Sequence, residues 1–228
     1  MSAPLTMPTA FPARLPRPPS AVVFDLDGTL IDSERLVRAA YFASAPRFDI
    51  EITESQFLSL VGLHRAANDE RMRAYFGEAF PLQDFYAAVS EQVGAGVAPL
   101  KPGAAELMDA LDSMGAPFAL ATSSGRPWVD KHFLAHNLGP RFRSIVTRQD
   151  VTNGKPHAEP YLKAAAALGF EPASILAIED SPVGLASADA AGMMTILAPD
   201  LVQPDDDTRA KALHVVTSLH DVVDLLRG

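Results

Sequence analysis

Cysteine is absent from this chain of 228 residues. Its absence excludes disulfides, thiolate catalysis and cysteine-based metal centres, so a bound metal would need oxygen or imidazole ligands. Long apolar runs are missing too, because no stretch approaches the ~20 apolar residues that a membrane-spanning helix needs. We therefore expect a soluble protein with no membrane partner, and a chain without cysteine suits the reduced cytoplasm.

Basic residues are the minority among the charges. The 19 lysines and arginines face 28 aspartates and glutamates, which gives a formal net charge of -9. A general nucleic-acid binder needs a basic face, so this charge predicts no nucleic-acid partner, although it does not exclude a local cationic pocket. The chain length and the 48% of hydrophobic residues indicate one or two globular domains.

Residues 1–19 differ in composition from the rest of the chain. They contain six prolines and lack the continuous apolar core of a secretory signal. We predict a disordered, partly polyproline tail here. A proline-rich docking motif is the functional alternative.

Hydrophobic periodicity divides the remaining chain into two parts. A short strand near residues 22–24 is followed by helical patterns from about residue 33 to residue 94. After Pro102 the pattern alternates between apolar strands, polar loops and helices, which is typical of βαβ units. These later strands are predicted at residues 117–121, 144–147, 175–178 and 193–197.

The pattern predicts an α/β fold, a doubly wound parallel sheet with an inserted all-helical cap domain. We place the α/β core at residues 20–32 and 98–228, and the helical cap at residues 33–97. An insertion directly after the first strand would cover the carboxyl edge of the sheet as a lid.

The most informative segment ends the first strand and reads Asp25-Leu26-Asp27-Gly28-Thr29. The chain turns at Gly28, so the two carboxylates can converge beyond the carboxyl edge, where open parallel sheets bind ligands. The alternative is that these residues only form a turn, because Asp-Gly is a common turn pair.

Polar residues also follow the later predicted strands. Thr122-Ser123 follows the second strand, Lys155 lies in the loop after the third, and Glu179-Asp180 ends the fourth. The carboxyl ends of parallel strands meet at one edge of the sheet. Hard oxygen ligands with one cation at that edge indicate a magnesium-assisted phosphoryl-transfer site.

These four segments, in this order, resemble the four motifs of the haloacid dehalogenase superfamily. The helical insertion after the first motif resembles the smaller cap type of that family. The segment 179–184, followed by 189–193, is similar to the β-phosphoglucomutase-like branch. The resemblance covers the chain from Phe24 to the last strands.

The resemblance implies a role for each motif residue. Asp25 would be the nucleophile that forms an aspartyl-phosphate, and Asp27 the general acid and then the general base. Thr122 and Ser123 would bind the phosphoryl group, and Lys155 would neutralise it. Mg²⁺ would be held by Asp25, Asp27 through its backbone carbonyl, Asp180 and Glu179.

The charges explain why both a lysine and a metal are needed. The four acids carry up to four negative charges before a phosphate arrives, and Lys155 leaves about three. A bound Mg²⁺ would leave about one, so a phosphate dianion becomes tolerable.

The type of reaction follows from two positions. Attack on carbon releases no alkoxide that needs a proton, so Asp27 favours phosphate esters. In β-phosphoglucomutases the first cap helix carries a histidine, and the corresponding place here falls at about Val37. We therefore expect a monomeric phosphatase whose partner is a small phosphorylated metabolite such as a sugar phosphate, with a sugar phosphomutase as the alternative.

Two arginines are candidates for further contact with the substrate. Arg65 ends a segment that resembles a cap loop whose arginine grips a distal phosphate, and Arg126 follows Thr122 closely enough to reach the same anion. A solvated surface position is the alternative for both. His64 is interpreted as a surface or packing residue, with substrate contact as its alternative.

The segment after Arg126 is interpreted as structural. Trp128, Phe133 and Leu134 have the spacing of a helix face that packs in the core. A substrate platform is the alternative for this face.

Proteins of two other classes could share part of this pattern. A phosphoryl-receiving signalling module also combines acids, a hydroxyl and a lysine on a doubly wound sheet, but a receiver needs no lid, so the helical insertion argues against it. An inactive binding protein would have no need for the full set of acids, hydroxyl and lysine.

Overall fold

The structure is a computed structural model that describes residues 15–61, 65–201 and 203–227. Six strands form one parallel sheet in it: β1 (Ala21–Phe24), β2 (Phe118–Ala121), β3 (Ser144–Val146), β4 (Ile175–Glu179), β5 (Met194–Leu197) and β6 (His214–Val215). Their order across the sheet is β3-β2-β1-β4-β5-β6. The order reverses between β1 and β4, which is where such sheets bind ligands at their carboxyl edge.

Both faces of the sheet are buried, as expected for parallel strands covered by helices. Val22 and Phe24 belong to one hydrophobic cluster, whereas Ala21 and Val23 belong to another on the opposite face. This alternation follows from the two-residue period of a strand. The doubly wound parallel class is therefore confirmed.

Five helices lie between β1 and β2, and the first four form an insertion whose described residues contain no strand: α1 (Ser33–Ser44), α2 (Glu54–Leu60), α3 (Arg65–Phe76) and α4 (Leu82–Ala95). They form a hydrophobic cluster of their own, in which the ring of Tyr41 lies 5.5 Å from that of Phe57 and 5.4 Å from that of Phe85. We call this helical insertion the cap. Its exact limits at residues 33 and 97 stay a prediction.

Six more helices pack on the sheet or follow its strands: α5 (Ala104–Met114), α6 (Arg126–Ala135), α7 (Glu159–Leu168), α8 (Pro182–Ala190), α9 (Asp206–Lys211) and α10 (Leu219–Arg227). Prolines occupy the first turn of α6, α7 and α8, where a missing N–H has no cost. The short edge strand β6 was not predicted, because two residues carry no periodic signal.

Two linkers join the cap to the core and run side by side. The N–H of Asp32 donates to the carbonyl of Pro99 at 2.8 Å, and the N–H of Lys101 donates to the carbonyl of Leu30 at 2.9 Å. These bonds fix the base of the cap next to the end of β1.

Helix α6 also contacts the second linker. Lys131 Nζ donates to the carbonyl of Gly94 at 2.7 Å, and the N–H of Ala98 donates to His132 Nε2 at 3.1 Å. His136 Nε2 lies 2.7 Å from the carbonyl oxygen of Ala98. Helix α6 of the core therefore contacts the segment that leads from the cap back to the core.

The predicted tail lies mostly outside the described residues, which begin at residue 15. Leu15 packs against the main hydrophobic cluster, and residues 15–19 lie beside residues 225–227 of α10. The predicted limit at residue 19 stays a prediction. Within the described ranges, no helix has the length and apolar character to cross a membrane.

Candidate active site

The predicted site residues of β1 lie at the centre of the carboxyl edge. Asp25 is buried, and its N–H donates to the carbonyl of Ile178 on β4 at 3.0 Å. Gly28 has φ of +81°, and a Cβ built on it would lie 2.2 Å from Asp180 Oδ2. Glycine is required here twice, for the left-handed turn and for the close approach of β1 to Asp180.

Lys155 connects the ends of β1 and β4. Its Nζ lies 2.5 Å from Asp25 Oδ1 and 2.5 Å from Glu179 Oε1, and only 5% of its side chain is exposed. Burial alone would lower the pKa of Lys155, but the charges of Asp25 and Glu179 outweigh it and raise that pKa above its ordinary value. The lysine is therefore a cation at neutral pH.

Three carboxylates converge beside this lysine. Oxygens of Asp25, Glu179 and Asp180 all lie within 4.8 Å of one another. Burial raises the pKa of Asp25 to about 8 against the charge of Lys155, and burial together with Asp25 and Glu179 raises the pKa of Asp180 well above its ordinary value. These raised pKa values indicate that Lys155 alone does not neutralise the negative charge of the three carboxylates. Hard oxygen donors of this kind fit Mg²⁺.

Glu179 is held by the protein on all sides. Besides Lys155, the hydroxyl of Tyr161 donates to Oε1 and the hydroxyl of Ser181 donates to Oε2 at 3.2 Å. A Cβ on Gly184 would come within 2.0 Å of the Glu179 carboxylate, so a larger residue at that position would have to displace Glu179. No sequence pattern pointed to Tyr161, because it lies on α7 and meets Glu179 only through the fold.

Asp27 accepts two hydrogen bonds from the segment after β2. Ser124 Oγ donates to Oδ2 at 2.5 Å, and Trp128 Nε1 donates to Oδ1 at 2.9 Å. Trp128 also packs against the main hydrophobic cluster, as its predicted packing role requires. The contact of Trp128 with Asp27 was missed, since helical spacing shows only which face is apolar.

The same helix corrects one prediction. Phe133 is 4% exposed and packs in the core, whereas Leu134 is 85% exposed. The prediction that Leu134 belongs to the packed face was wrong, because the packed face of α6 follows Val129 and Phe133, four residues apart.

The predicted hydroxyls lie beside this group. Thr122 is buried at the end of β2, where its N–H donates to the carbonyl of Val146 and its Oγ1 accepts from the N–H of Ser124 at 3.0 Å. Ser123 is exposed. Because β2 is hydrogen-bonded to β1, Thr122 lies at the same edge as Asp25.

The two predicted arginines are bonded within their own helices. Arg65 Nε donates to Asp69 at 2.9 Å, and its guanidinium lies 3.7 Å from the ring centre of Tyr86 in the cap. Arg126 Nε donates to Asp130 at 2.7 Å. A role of either arginine in substrate binding stays a prediction, and His64 lies outside the described residues.

Glu34 in the first turn of α1 was not singled out from the sequence. It lines a cap cavity of about 200 Å³, together with Val37, Tyr41, Phe57, Leu60, Val61 and Asn68. Burial raises the pKa of Glu34, and the nearby charges of Asp200 and Asp27 add to this effect. No hydrogen bond or ion pair of its side chain occurs among the described residues, so its carboxyl group is available to a ligand in the cap cavity.

Fold and site together define an α/β protein with a buried lysine and a cluster of carboxylates at one sheet edge, an arrangement typical of an enzyme active site. The sequence model of the haloacid dehalogenase-like hydrolases matches residues 19–192. Protein CbbY of Rhodobacter capsulatus is 34% identical over 206 residues, which cover 83% of this chain and 89% of that protein. A probable pseudouridine-5'-phosphatase of Drosophila melanogaster is 32% identical over 215 residues, covering 87% of this chain and 89% of the relative.

The solved structures agree with this match. A crystal structure of a putative β-phosphoglucomutase from Thermotoga maritima aligns with a TM-score of 0.78 at 25% identity, covering 91% of this chain and 98% of that one. The chain belongs to the haloacid dehalogenase-like hydrolases, in their β-phosphoglucomutase-like branch. It is therefore an enzyme of that hydrolase family.

Proposed function

We propose that this protein is a Mg²⁺-dependent phosphatase that hydrolyses a small phosphomonoester through an aspartyl-phosphate on Asp25. The observation that supports this most is the pairing of buried Asp25 with Lys155, next to Glu179 and Asp180, at the switch point of the sheet. A nucleophilic carboxylate, a fixed cation and a set of oxygen ligands are what phosphoryl transfer requires.

In the first step, a carboxylate oxygen of Asp25 attacks phosphorus and the bond from phosphorus to the ester oxygen breaks. Asp27 gives a proton to the alkoxide that leaves. In the second step, Asp27 accepts a proton from the water that attacks the aspartyl-phosphate, which releases phosphate and restores Asp25. Thr122 and Ser123 would donate to the phosphoryl oxygens, and Lys155 would neutralise their charge.

Mg²⁺ would be held by carboxylates of Asp25 and Asp180, by Glu179 and by the backbone carbonyl of Asp27. When bound, the ion would neutralise charge that develops on the transferred phosphoryl group. Asp180 has no hydrogen bond or ion pair among the described residues, so its carboxylate would be available to the ion. Glu179, by contrast, is held by Lys155, Tyr161 and Ser181.

The organic part of the substrate would face the cap. Glu34 offers a carboxyl group beside Asp27 that can accept hydrogen bonds from hydroxyl groups. A sugar phosphate or a related polyol ester has hydroxyl groups that could donate to this carboxyl group. The relative from Drosophila melanogaster carries the name of a nucleoside-phosphate phosphatase. Arg65 and Arg126 are proposed as additional contacts for anionic groups.

The alternative is a sugar phosphomutase, in line with the name of the relative from Thermotoga maritima. Val37 lines the cap cavity one turn after Glu34, and its side chain cannot transfer a proton. Hydrolysis is therefore favoured over isomerisation. A monomeric, cytoplasmic enzyme stays our prediction.

The test is phosphate release from a panel of sugar phosphates and p-nitrophenyl phosphate, with Mg²⁺ or with excess chelator. We expect release with Mg²⁺, loss of release with chelator, and background rates for Asp25→Asn. Formation of an isomer without release of phosphate would identify a mutase instead. Release that persists in excess chelator would contradict the metal assignment.

A further inference from the structure

The two oxygens of Asp27 have partners of different chemistry. Trp128 Nε1 donates to Oδ1 at 2.9 Å, and Ser124 Oγ donates to Oδ2 at 2.5 Å. An indole N–H can only donate, whereas a hydroxyl can donate or accept. Oδ1 is therefore an acceptor in every protonation state of the site, but Oδ2 can keep its hydroxyl partner whether or not it carries a proton.

The indole of Trp128 is fixed in this position by three further contacts. It packs against the main hydrophobic cluster, its ring centre lies 4.1 Å from that of His132, and Lys131 Nζ lies 5.4 Å from the indole ring centre. A ring packed on several sides keeps one rotamer. These contacts favour the orientation in which the N–H of Trp128 points at Asp27.

His132 is in turn held in one tautomer. Because the N–H of Ala98 donates to Nε2, the proton of this ring is on Nδ1, which donates to the carbonyl of Trp128 at 2.9 Å. His132 is fully buried, and burial lowers its pKa, so the ring is neutral. A chain of contacts thus runs from the cap linker through His132 and Trp128 to Asp27.

On the basis of the proposed phosphatase function, we propose that Trp128 is a positioning residue that reserves Oδ1 of Asp27 as an acceptor. Oδ2, beside Ser124, is then the oxygen that carries the transferable proton. In the first step the Oδ2 proton moves to the ester oxygen as its bond to phosphorus breaks. In the second step a water proton returns to Oδ2 as the water oxygen bonds to phosphorus and the bond from phosphorus to Asp25 breaks, which releases phosphate. Without the indole N–H the carboxyl group can rotate, and the acidic oxygen is no longer held towards the leaving group.

The proposal makes the loss depend on the leaving group. An alkoxide needs a proton from Asp27, whereas p-nitrophenolate is a stable anion that leaves without one. The value of kcat/KM covers the steps up to release of the alcohol and excludes hydrolysis of the aspartyl-phosphate. For Trp128→Phe we expect kcat/KM to fall about 10- to 100-fold with the best sugar phosphate and less than about threefold with p-nitrophenyl phosphate.

A second variant separates the N–H from the shape of the ring. Trp128 is the only tryptophan of the sequence, so global replacement with benzothienylalanine, which has sulfur in place of N–H, changes this position alone. Replacement with 4-fluorotryptophan keeps the N–H and is the matched control. We expect the benzothienyl protein to show the leaving-group effect and the fluorinated protein to resemble the native one.

The outcomes can be told apart. Suppose that the native protein hydrolyses both esters. If kcat/KM of the benzothienyl protein then falls equally for both esters, or is unchanged for both, the role of Trp128 is refuted and the phosphatase function stands. If the native protein hydrolyses no ester, the proposed function fails, and with it the premise for Trp128. If Trp128→Phe does not fold, the comparison of the benzothienylalanine protein with the 4-fluorotryptophan protein still tests the role of Trp128.

Discussion

Lys155 shows how a site rich in acids is held together. Its Nζ lies 2.5 Å from a carboxylate oxygen of Asp25 and 2.5 Å from one of Glu179, and its charge partly neutralises both acids. Asp27 accepts hydrogen bonds from an N–H donor and an O–H donor. Asp180 has no such partner among the described residues. Three of the four acids are therefore satisfied by the protein, and Asp180 is the one that most needs a bound cation.

At the same scale, Glu34 yields a prediction about specificity. Replacing Glu34 with Gln keeps the size of the side chain but weakens the acceptor that faces the cap cavity. We expect KM for the best sugar phosphate to rise about tenfold, since a hydrogen bond to a charged group contributes about 1.5 kcal/mol or more. For p-nitrophenyl phosphate, which has no hydroxyl groups to offer, KM should change less than about twofold.

The matched control is Glu51→Gln, an exposed glutamate of the same cap, which should leave both KM values unchanged. Steady-state kinetics with the two substrates gives the answer. Equal changes in KM for both esters in Glu34→Gln would show that Glu34 does not contact the sugar.

At the scale of elements, the start of α8 positions the end of β4. Ser181 caps the helix by accepting from the N–H of Gly184 at 3.1 Å, and its hydroxyl also donates to Glu179. The first turn of α8 thus lies directly against the Glu179 carboxylate. A side chain at position 184 would therefore have to displace the Glu179 carboxylate.

Gly184→Ala should therefore displace Glu179. We expect the Mg²⁺ concentration for half-maximal activity to rise about 10- to 100-fold, as for other changes beside metal ligands, and stability to fall by about 1–3 kcal/mol through overpacking. Mg²⁺ titration of activity and urea unfolding measure the two effects.

The control is Gly94→Ala in α4, where a Cβ would meet nothing within 4 Å. This change should leave the Mg²⁺ requirement unaltered and stabilise the protein by about 0.5–1 kcal/mol, because alanine loses less backbone entropy than glycine in a helix. A Gly184→Ala protein that behaves like the control would contradict the close packing of α8 on Glu179.

At the scale of the whole molecule, the buried acids link stability to pH and to metal. Burial raises the pKa of Asp25 to about 8 in the folded chain, above its ordinary value of 3.8. The folded state then binds more protons at Asp25 than the unfolded state between these values, so the contribution of Asp25 to metal-free stability is most favourable at low pH and falls as pH rises towards about 8. In the proposed site, a bound Mg²⁺ would compete with those protons and restore stability where they are lost.

We therefore expect Mg²⁺ to raise the unfolding free energy by about 2.7 kcal/mol when its concentration is 100 times its Kd. At one fixed Mg²⁺ concentration the gain should be larger near pH 8 than near pH 5, because protons compete with the ion at the lower pH, and urea unfolding with and without the ion measures it. Asp180→Asn should lose most of the gain. A gain that is the same at both pH values would show that Mg²⁺ does not bind at these carboxylates.

Much of this architecture could be predicted because the signals are local. The strands from β1 to β5 are short apolar runs between turns, and the parallel sheet follows from their alternation with helices. Asp25, Lys155 and Asp180 could be placed at one edge because each follows a strand or its loop. Leu134 was placed wrongly, since the packed face of α6 follows Val129 and Phe133 and leaves Leu134 exposed.

The sequence by itself determined the fold class, the helical insertion and the motif residues, because periodicity and strand ends are properties of neighbouring residues. Only the tertiary structure decided that Trp128 holds Asp27, that Tyr161 holds Glu179 and that Glu34 lines the cap cavity. Trp128 and Asp27 are 101 positions apart. Contacts over such separations depend on how elements pack, and no local pattern of residues records that.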